Sequence, residues 1–493
     1  MPVSPDAQTT MATDADTTAH LITTSTAGAD TITSAPADPE SAAASRTGLA
    51  PVDRTVPPRK LTVVGTGYVG LTTGACLSTM GFDVTCADVD PAKIEILQSG
   101  GLPIHERGLQ DIVDRGRSNG TLRFQLGAEE AVRTADVVLM CVPTPQGADG
   151  SADLTYLLDA AASIADHLRP GAVVLNKSTV PVGSAAVVAT RIGRDDIDVA
   201  SNPEFLREGT AVDDFLNPDR VIIGSDDPAT GEWLRSMYDE THTDVFVTGT
   251  AAAETIKYVA NGFLAMKVSF ANAVAALCEA VGADVFDVMR GIGSDRRIGF
   301  EFLQPGPGWG GSCFPKDSRA LVSIGDAHGY DFEMMRSAIA VNDQQRTRIV
   351  DKVLRAAGRS IDDPRRLADV RVGVLGLTFK AHTDDLRESP SLGVIGQLRE
   401  LGASVIAYDP TTSHGLDSVQ RTQLADIEIA GEPVDVADDA DVVVLLTEWP
   451  EFRTVIDDEF VAAMRGNAIV DGRNLLEPAQ ITAHGLLYEG VGR

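Results

Sequence analysis

The sequence feature that most constrains the fold is a β-branched strand that ends in three spaced glycines. Residues 61–70 read LTVVGTGYVG, which contains Gly65, Gly67 and Gly70 in the pattern GxGxxG. A helical stretch follows, and the next strand-like segment, DVTCADVD, contains Asp88 near its end. This order of strand, glycine turn, helix and strand predicts parallel strands joined by a helical crossover.

The alternation of strand and helix continues along the chain and later returns. Further strand-like segments read ADVVLMCVPTP, AVVLNKSTVP, VRVGVLGLTFK, ASVIAYDP, DADVVVLLTEWPEF and NAIVDGRNLL, and the last four repeat the opening order. Between the two sets, an Ala-rich run without proline over residues 250–278 predicts one long, buried helix, and a second helical region reaches residue 357. We therefore expect an α/β fold with two Rossmann-like, doubly wound parallel-sheet domains joined by a long central helix.

Composition divides the chain into four segments. Residues 1–58 are rich in Thr, Ala, Asp, Ser and Pro and contain no aromatic residue, so we expect a disordered N-terminal tail there. We expect a dinucleotide-binding Rossmann domain over residues 59–248 and a central helical domain over residues 249–357. A C-terminal Rossmann-like domain should occupy residues 358–493.

The net charge excludes several classes of partner. The chain has 71 Asp and Glu against 41 Lys and Arg, a formal charge of −30, which repels nucleic acid and anionic membranes. Only 8 of the basic residues are lysine. Such a surface is typical of proteins from salt-adapted cytoplasm, where the Debye length falls to about 3 Å at 1 M salt. The alternative interpretation is that the acidity only aids solubility.

The cysteines and the hydropathy pattern indicate a cytoplasmic protein without a metal site. The cysteines are odd in number, widely spaced and without a CxxC pair, so neither a disulfide framework nor a metal cluster is expected. They are Cys76, Cys86, Cys141, Cys278 and Cys313. No uninterrupted apolar run reaches the length of a membrane span, and the first basic residue, Arg46, comes too late for a secretory signal.

The glycine motif and Asp88 together form the dinucleotide-binding fingerprint. The glycines allow backbone amides to approach a pyrophosphate at the helix N-terminus, and the Asp88 carboxylate can accept hydrogen bonds from both ribose hydroxyls. This favours NAD over NADP as the cofactor. Lys93 could reach the same ribose. The alternative is that a tight strand-to-helix turn needs glycine for its own geometry.

One cysteine is placed differently from the others. Cys313 lies in the sequence GGSCFPKD, in a glycine-flanked turn whose Pro315 suits the first turn of a helix. We expect the helix N-terminus to lower the thiol pKa and to make Cys313 a nucleophile. The other four cysteines fall in predicted strands or helices, where a buried thiol usually acts as a small apolar side chain.

Polar residues interrupt the apolar central helix on one face. Lys257 and Asn261 are four residues apart, with Glu254 alongside, so they share a helix face. A solvated face is the plain alternative, but a lysine in this lysine-poor chain indicates a required positive charge. The loop SNPEFLREG supplies Glu204 and Glu208, also four apart.

Eight motifs in a fixed order resemble one enzyme family. They are GTGYVG, VPTP, KSTVPVG, NPEFLREG, KYVANGFLA, DRRIGFEFL, GGSCFPKD and FKAHTDDLRESP. Together they resemble the UDP-glucose 6-dehydrogenase family, within the nucleotide-sugar dehydrogenases that also include GDP-mannose dehydrogenases. The resemblance extends from residue 60 to nearly the end of the chain. Trp309 stands where the family usually has Tyr or Phe, His105 replaces a usual Tyr, and residues 411–433 depart from the family in length and composition.

The resemblance implies a four-electron oxidation of UDP-glucose to UDP-glucuronate by two NAD⁺, feeding glycan biosynthesis. Cys313 would attack the aldehyde to give a thiohemiacetal, a second oxidation would give a thioester, and water would hydrolyse it. The family's proton-handling and oxyanion groups match Lys257, Asn261 and a water held by Asp317 and Thr179. Glu204 matches the candidate base for hydrolysis, with Glu208 in support.

Further contacts are implied by the same resemblance. The cofactor residues would be Gly65, Gly67, Tyr68, Val69, Gly70, Asp88, Lys93, Thr144, Thr179 and Arg387. The substrate residues would be Glu204, Phe205, Leu206, Arg207, Lys257, Asn261, Phe302, Leu303, Gly310, Phe379, Lys380 and Arg473. Arg297 would touch the sugar bound to a neighbouring subunit, which implies a homodimer, or a higher homo-oligomer, formed about the long central helix.

Three alternative functions stay open. The same chemistry could act on GDP-mannose or another UDP-hexose. A catalytically silent sugar-nucleotide sensor would keep both Rossmann domains but could dispense with the thiol. A two-electron alcohol dehydrogenase would have no use for Cys313. Retention of Cys313 together with Lys257, Asn261 and Asp317 argues against the last two.

Overall fold

The computed structural model describes residues 49–147, 150–363, 365–414 and 418–493. The strands are β1 Lys60–Val64, β2 Asp83–Asp88, β3 Leu122–Leu126, β4 Val137–Met140, β5 Val173–Asn176, β6 Asp198–Ser201, β7 Val221–Gly224, β8 Val245–Thr248, β9 Arg371–Leu375, β10 Ser404–Tyr408, β11 Glu428–Ile429, β12 Val442–Leu445, β13 Ala468–Asp471 and β14 Leu487–Gly490. The α-helices are α1 Tyr68–Thr79, α2 Pro91–Ser99, α3 Leu109–Asn119, α4 Thr155–Ile164, α5 Ser184–Ile192, α6 Ala211–Leu216, α7 Pro228–Arg235, α8 Thr250–Val281, α9 Val285–Gly293, α10 Phe314–Ala327, α11 Glu333–Ala356, α12 Pro390–Glu400, α13 Ser418–Gln423, α14 Asp458–Ala463 and α15 Pro478–Ala483.

The first sheet has eight strands in the order β3-β2-β1-β4-β5-β6-β7-β8. Its neighbouring strands are parallel except β6 and β7, which pair antiparallel. Strands β4 and β5 are runs of fully buried residues, because helices cover both faces of the sheet. The prediction of a doubly wound parallel sheet is confirmed, with one antiparallel pairing that the sequence did not reveal.

The second sheet has six parallel strands in the order β11-β10-β9-β12-β13-β14. In both sheets the strand order reverses beside the first strand, between β1 and β4 and between β9 and β12. Open α/β sheets bind ligands in the crevice outside the carboxyl ends of the strands at such a reversal. The repeated strand order predicted from the sequence is thus two copies of one nucleotide-binding topology.

The acidic residue at the end of the second strand has different hydrogen-bond partners in the two sheets. In Asp88, Oδ2 accepts hydrogen bonds from the N–H and hydroxyl of Thr66, whereas Oδ1 accepts only from the N–H of Asp90 at 3.0 Å. Asp409, which directly follows β10, is fully buried, and both of its oxygens are occupied. Its donors are the N–H groups of Leu377, Thr378 and Thr411, the hydroxyls of Thr378 and Thr411, and Nε1 of Trp449.

The central helix α8 is 32 residues long, about 48 Å, and packs against α10 and α11. We expected it to be buried, but only one face is. Its other face exposes a stripe of large apolar side chains, namely Val259, Phe263, Phe270, Leu277 and Val281. The apolar composition predicts that the helix packs against other elements, but it does not show which of its faces is covered by residues of the same chain. The helix is long and apolar enough to span a membrane, but Lys257 and Glu254 contact the N-terminal domain from it.

Residues 49–58 correct the predicted tail, and residues 1–48 lie outside the described residues. Nη1 of Arg54 donates to Asp198 at 2.5 Å, and its Nη2 donates to the main-chain oxygen of Gly171 at 2.8 Å. Nε1 of Trp233 donates to the main-chain oxygen of Val56, and Val52 packs against the apolar core. The scarcity of apolar residues predicted disorder, but these hydrogen bonds and the packing of Val52 hold the segment against the N-terminal domain.

Candidate active site

Loops from three parts of the chain meet around Cys313. Cys313 is the N-cap of α10 and lies two residues after Gly311, whose φ of +82° favours glycine. A side chain at Gly310 would place its Cβ 2.1 Å from the main-chain oxygen of Glu388, so glycine is needed for the close approach of the C-terminal domain. Cys313 is partly exposed, whereas the other four cysteines are buried.

The pKa of Cys313 differs from the sequence-based expectation. Burial raises the pKa of the thiol, and the nearby charge of Lys257 opposes this, but the net shift is upward. Glu204 and Asp317 also raise it. The expected lowering by the helix N-terminus was therefore wrong, because a small helix-end effect competes here with desolvation and two carboxylates.

A buried ion pair lies beside the thiol. Nζ of Lys257 donates to the main-chain oxygen of Glu204 at 2.6 Å and to its Oε1 at 3.0 Å. Burial lowers the pKa of Lys257, but the charges of Glu204, Cys313 and Asp317 outweigh burial and raise it. Burial likewise raises the pKa of Glu204, but Lys257 and the N–H of Leu206 outweigh it and lower the pKa. Both groups are thus held in their charged forms.

One helical turn further along α8, a second polar pair is buried. Nδ2 of Asn261 donates to Oδ2 of Asp317 at 2.6 Å, and Nζ of Lys316 donates to its Oδ1 at 2.6 Å. Asp317 is fully buried in the first turn of α10. In the part of the chain that is described, no direct hydrogen bond joins Asp317 to Thr179, whose main-chain oxygen accepts from Thr144 at 2.8 Å.

Glu208 connects the N-terminal domain to the loop after β9. Its Oε1 accepts hydrogen bonds from the hydroxyl of Ser312 and from Nη2 of Arg387, both at 3.1 Å. Its main-chain oxygen accepts from Nζ of Lys380 at 2.6 Å. Burial and the neighbouring carboxylate of Asp385 raise the pKa of Glu208 to about 7. Glu208 therefore titrates near neutral pH while it contacts the residue next to Cys313.

The loop after β1 fits NAD. Gly67 is the N-cap of α1 and makes no side-chain cap, and a Cβ added there would meet no atom within 4 Å. This open space at a helix N-terminus suits a pyrophosphate. Gly70 is required for packing, because a Cβ added to it would lie 1.9 Å from the main-chain oxygen of Gly65. Oδ1 of Asp88 can still accept from a ribose.

Two predicted cofactor residues contribute to this region in different ways. Burial raises the pKa of Asp88, but hydrogen bonds from Thr66 and Asp90 and the charge of Lys93 outweigh it and lower the pKa. Lys93 is therefore near the predicted ribose position. Val69 is partly buried and packs against the core behind the glycine loop.

Tyr68 uses its hydroxyl within the protein. The hydroxyl donates to Oε2 of Glu106, and the N–H of Gly209 donates to both of these oxygens. Oε1 of Glu106 accepts from the N–H of Ala211 at 3.1 Å. Sequence reasoning missed Glu106, although its place beside His105 in the LPIHERGL motif was a signal. Glu106 links the helix that follows the glycine loop to the segment that carries Glu204 and Glu208.

Several predicted substrate residues surround this cluster. The ring of Phe205 lies 5.3 Å from Nζ of Lys257 and 3.8 Å from the guanidinium carbon of Arg220, a contact that sequence reasoning missed. Phe379 lies against Gly311, and its main-chain oxygen accepts from Nη2 of Arg473 at 2.7 Å. The ring of Phe302, with a φ of +63°, lies 6.0 Å from that of Phe314.

Other predicted substrate residues lie apart or have other partners. Arg297 is exposed and pairs with Asp295 of the same chain. Arg207 is exposed and pairs with Asp214 at 2.5 Å. The side chain of Leu303 is buried in the core shared with the C-terminal sheet, so a ligand would meet its backbone.

Comparison with protein families matches three consecutive domains. The family models describe the UDP-glucose/GDP-mannose dehydrogenase family, with its NAD binding domain at residues 59–242. Its central domain matches residues 251–344, and its UDP binding domain matches residues 373–478. These matches support NAD as the cofactor, in agreement with the fit of the glycine loop.

Individual relatives agree over most of the chain. UDP-glucose 6-dehydrogenase TuaD of Bacillus subtilis is 40% identical over 440 residues, which cover 88% of this chain and 93% of the relative. UDP-glucose 6-dehydrogenase AglM of Haloferax volcanii is 39% identical over 448 residues, which cover 88% of this chain and 100% of the relative.

Solved structures share the fold. A UDP-glucose dehydrogenase from Pyrobaculum islandicum, 35% identical, matches with a TM-score of 0.78 over 90% of this chain and 99% of its own. A UDP-D-ManNAc dehydrogenase from Pyrococcus horikoshii, 27% identical, matches with a TM-score of 0.76 over 88% of this chain and 99% of its own. The chain belongs to the UDP-glucose/GDP-mannose dehydrogenase family.

Proposed function

We propose that this enzyme oxidises UDP-glucose to UDP-glucuronate with two NAD⁺ and supplies glycan biosynthesis. The observation that carries the proposal is the position of Cys313. One partly exposed thiol lies within a cluster of buried polar side chains, Lys257, Glu204, Asn261 and Asp317, between two nucleotide-binding topologies. The relatives named UDP-glucose 6-dehydrogenase support the choice of sugar nucleotide.

The buried side chains stabilise oxygen anions at the reacting carbon. NAD, when bound, accepts a hydride in each of the two oxidations. Lys257 is held protonated by Glu204, so its ammonium stabilises the C6 oxygen as the hydroxyl gives its proton to the water that Asp317 and Thr179 would hold. Asn261 donates beside it, and Asp317 fixes the Asn261 amide through the 2.6 Å hydrogen bond. Such preorganised donors contribute several kcal/mol to transition-state stabilisation, by the typical loss of about 3 kcal/mol per donor removed.

The thiol makes the second oxidation possible. The Cys313 thiolate adds to the aldehyde carbon, and Lys257 and Asn261 stabilise the resulting thiohemiacetal oxygen. Loss of a second hydride gives the thioester, and attack of water releases the carboxylate and regenerates the thiol. Glu204 and Glu208 are the carboxylates that we assign to hydrolysis, because they match the family's candidate base and its neighbour. The pKa of about 7 makes Glu208 the better base of the two near neutral pH.

The C-terminal domain binds the nucleotide part of the substrate. Nζ of Lys380 lies 5.4 Å from the ring centroid of Phe379, and Nη2 of Arg473 donates to the main-chain oxygen of Phe379 at 2.7 Å, so both supply positive charge close to this residue. Arg387 adds a third cation, in contact with Glu208. This concentration of positive charge in an acidic chain supports an anionic substrate.

The test is the number of NADH molecules formed per sugar consumed, measured with UDP-glucose, GDP-mannose and UDP-N-acetylmannosamine in turn. Two NADH with UDP-glucose alone is the expected result. One NADH per sugar would contradict the thioester step. Two NADH with one of the other sugar nucleotides, and none with UDP-glucose, would show that the other sugar nucleotide is the substrate. No NADH with any sugar would favour a silent sensor. Cys313→Ser should abolish the four-electron reaction.

We also propose a homodimer, or a higher homo-oligomer, formed about α8. Five large apolar side chains on its open face are 46–66% exposed, at spacings that place them on one stripe. A contiguous exposed apolar stripe is typical of an interaction surface. A second copy would cover it and could bring Arg297, which is exposed here, to the neighbouring site. The central helical segment would then be the dimerisation domain.

The salt-adapted, cytoplasmic setting expected from the sequence stays a proposal. Its support is the charge of −30 with 8 lysines, and five unpaired cysteines, which suit a reducing compartment. Of these lysines, Lys177, Lys257 and Lys352 are buried, and Lys316 and Lys380 are partly buried in ion-paired or hydrogen-bonded positions. Lysine is thus retained mainly where a positive charge has a buried partner.

A further inference from the structure

The one antiparallel pairing of the first sheet brings a further arginine to the site. Strand β7 pairs with β6 at Ser201 and Gly224, and Nδ2 of Asn202 donates to the main-chain oxygen of Ile222 at 2.8 Å. The chain after β6 therefore continues alongside β7 in the opposite direction. Because β7 is antiparallel to β1–β6, it begins at the edge where those strands end, which is the ligand-binding edge of an open α/β sheet. Arg220 directly precedes β7 and lies at this edge.

The guanidinium of Arg220 lies over the ring of a predicted substrate residue. Its central carbon is 3.8 Å from the ring centroid of Phe205. Arg220 is half-buried, and a cation–π contact is stronger where water is partly excluded. Within the described ranges, Arg220 has no hydrogen bond and no ion pair, whereas the neighbouring Arg207 pairs with Asp214 at 2.5 Å. The ring of Phe205 is thus the contact that holds the Arg220 side chain in this part of the structure.

Phe205 lies between two residues that have their own partners. Glu204 is held by Lys257, and Leu206 packs against the apolar core of the N-terminal domain. The N–H of Leu206 donates to Oε2 of Glu204 at 2.6 Å, which closes a turn around Phe205. The ring of Phe205 lies 5.3 Å from Nζ of Lys257 and in direct contact with Arg220. Both ends of the turn are therefore fixed, and the position of its middle residue depends on Arg220.

We propose that Arg220 is a positioning residue, which fixes Phe205 and thereby the shape of the 204–207 segment against the sugar nucleotide. The inference rests on the proposed function, because the resemblance assigns this segment to the substrate. Arg220 acts through Phe205 and not on the reacting carbon. Its loss should therefore weaken substrate binding more than it slows turnover, since Lys257 still holds Glu204 from the central helix.

The test is the binding of UDP-glucose to the full-length enzyme by isothermal titration calorimetry, together with steady-state kinetics in which UDP-glucose and NAD are varied in turn. The variants are Arg220→Met, Arg220→Lys, Phe205→Leu and the double variant of Arg220→Met with Phe205→Leu. Arg54→Met is the matched control, because Arg54 also makes an arginine–aromatic contact in the N-terminal domain, 5.4 Å from the ring centroid of Trp233. Thermal melting of each variant checks that it is folded.

We expect Arg220→Met to raise Kd and KM for UDP-glucose about tenfold, within the range of a partly desolvated cation–π contact, and to leave KM for NAD unchanged. Phe205→Leu should have a similar effect, and the double variant should bind no more weakly than either single variant, because both changes remove the same contact. Arg220→Lys keeps the charge but not the planar group, so it should restore part of the affinity. Arg54→Met should lower the melting temperature without changing Kd.

The double variant separates positioning from a direct contact with the substrate. Additive losses would overturn the inference, because Arg220 would then act on the substrate independently of Phe205. Full affinity in Arg220→Met would overturn it as well, and so would an equal rise of Kd in Arg54→Met, since the effect would then follow from lost stability alone. If Arg220→Met does not fold, Arg220→Lys takes its place, with an expected Kd between those of the wild type and Phe205→Leu.

The wild-type measurements separate this inference from the proposed function. If Arg220→Met is unchanged while the wild type forms two NADH per UDP-glucose, the inference fails and the proposed function stands. If the wild type neither binds nor oxidises UDP-glucose, the proposed function fails and the inference fails with it.

Discussion

Nζ of Lys257 lies 2.6 Å from the main-chain oxygen of Glu204 and 3.0 Å from its carboxylate. A single ammonium thus binds both the backbone and the side chain of one residue, and joins the central helix to the N-terminal domain. The side chains are only 4% and 6% exposed, so water cannot replace either partner. The pair is a structural and an electrostatic element at once.

Replacing one member of this pair should destabilise the protein. Glu204→Gln leaves a buried ammonium without its counter-charge, and we expect a loss of about 3 kcal/mol or more. Thermal unfolding of the variant and the wild type measures it. Asp287→Asn is the control, because Asp287 and Arg290 form an exposed pair, 72% and 78% exposed, worth about 1 kcal/mol at most. Equal effects of the two substitutions would contradict the argument.

The same pair predicts how stability depends on pH. The folded-state pKa of Glu204 is lowered, so its contribution is present above the unfolded value of about 4.3 and is lost as the pH falls through the folded value. The folded-state pKa of Lys257 is raised, so its contribution is present below about 10.4 and is lost as the pH rises through the folded value. The melting difference between the wild type and Glu204→Gln should stay level between these limits. A difference that vanishes at neutral pH would be inconsistent with an ion pair.

The hydrogen bond between Asn261 and Asp317 should be needed for turnover rather than for cofactor binding. Asn261→Asp places two carboxylates at the 2.6 Å contact and removes a donor, so we expect kcat to fall about 100-fold, with little change in KM for NAD. Steady-state kinetics with each substrate varied measures this. Asn217→Asp is the matched control, because Asn217 donates to Asp213 on the exposed surface. A change confined to KM for NAD would show that the pair acts on the cofactor site.

The open face of α8 should control oligomeric state. Phe270→Asp combined with Leu277→Asp places two charges in the exposed apolar stripe, and we expect the complex to dissociate to monomers in analytical ultracentrifugation. Activity should fall in parallel if Arg297 serves a neighbouring site. Phe246→Asp is the control, because Phe246 is equally exposed, at 54%, but lies on β8. A wild-type protein that sediments as a monomer would reject this interface.

The ordered segment that precedes β1 should contribute to stability. A chain that starts at residue 59 loses the Arg54 contacts with Asp198 and Gly171 and the packing of Val52. We expect it to melt several degrees below a chain that starts at residue 49, for a loss of about 2 kcal/mol. Arg54→Ala in the longer chain should give part of this decrease. Identical melting temperatures of the two truncated chains would show that residues 49–58 add no stability, as expected for a disordered tail.

Activity and stability should depend on salt. At a charge of −30, lowering the salt below about 1 M lengthens the Debye distance and increases self-repulsion. We expect the melting temperature and the activity to fall together as KCl is reduced. Indifference to KCl would leave solubility as the explanation for the acidity.

The sequence predicted the parts of the molecule that depend on local pattern. The glycine motif with Asp88, the two sheets and the pairing of polar residues on α8 follow from spacing and periodicity, which local sequence records directly. The pKa of Cys313, the role of Glu106 and the contact between Arg220 and Phe205 depend on residues that are distant in the chain. The order of residues around Arg54 gave no sign of its partners, Asp198 and Gly171, more than 100 positions away.

Asp88 and Asp409 occupy equivalent places in the two sheets, but only Asp88 keeps an oxygen with spare accepting capacity. A ribose at the second sheet would meet a carboxylate already saturated by six donors and shielded by Trp449. The C-terminal domain therefore lacks the accepting carboxylate oxygen with which the N-terminal domain can hold a ribose. NAD should bind the C-terminal domain only weakly, so that excess NAD should not inhibit the binding of the sugar nucleotide there.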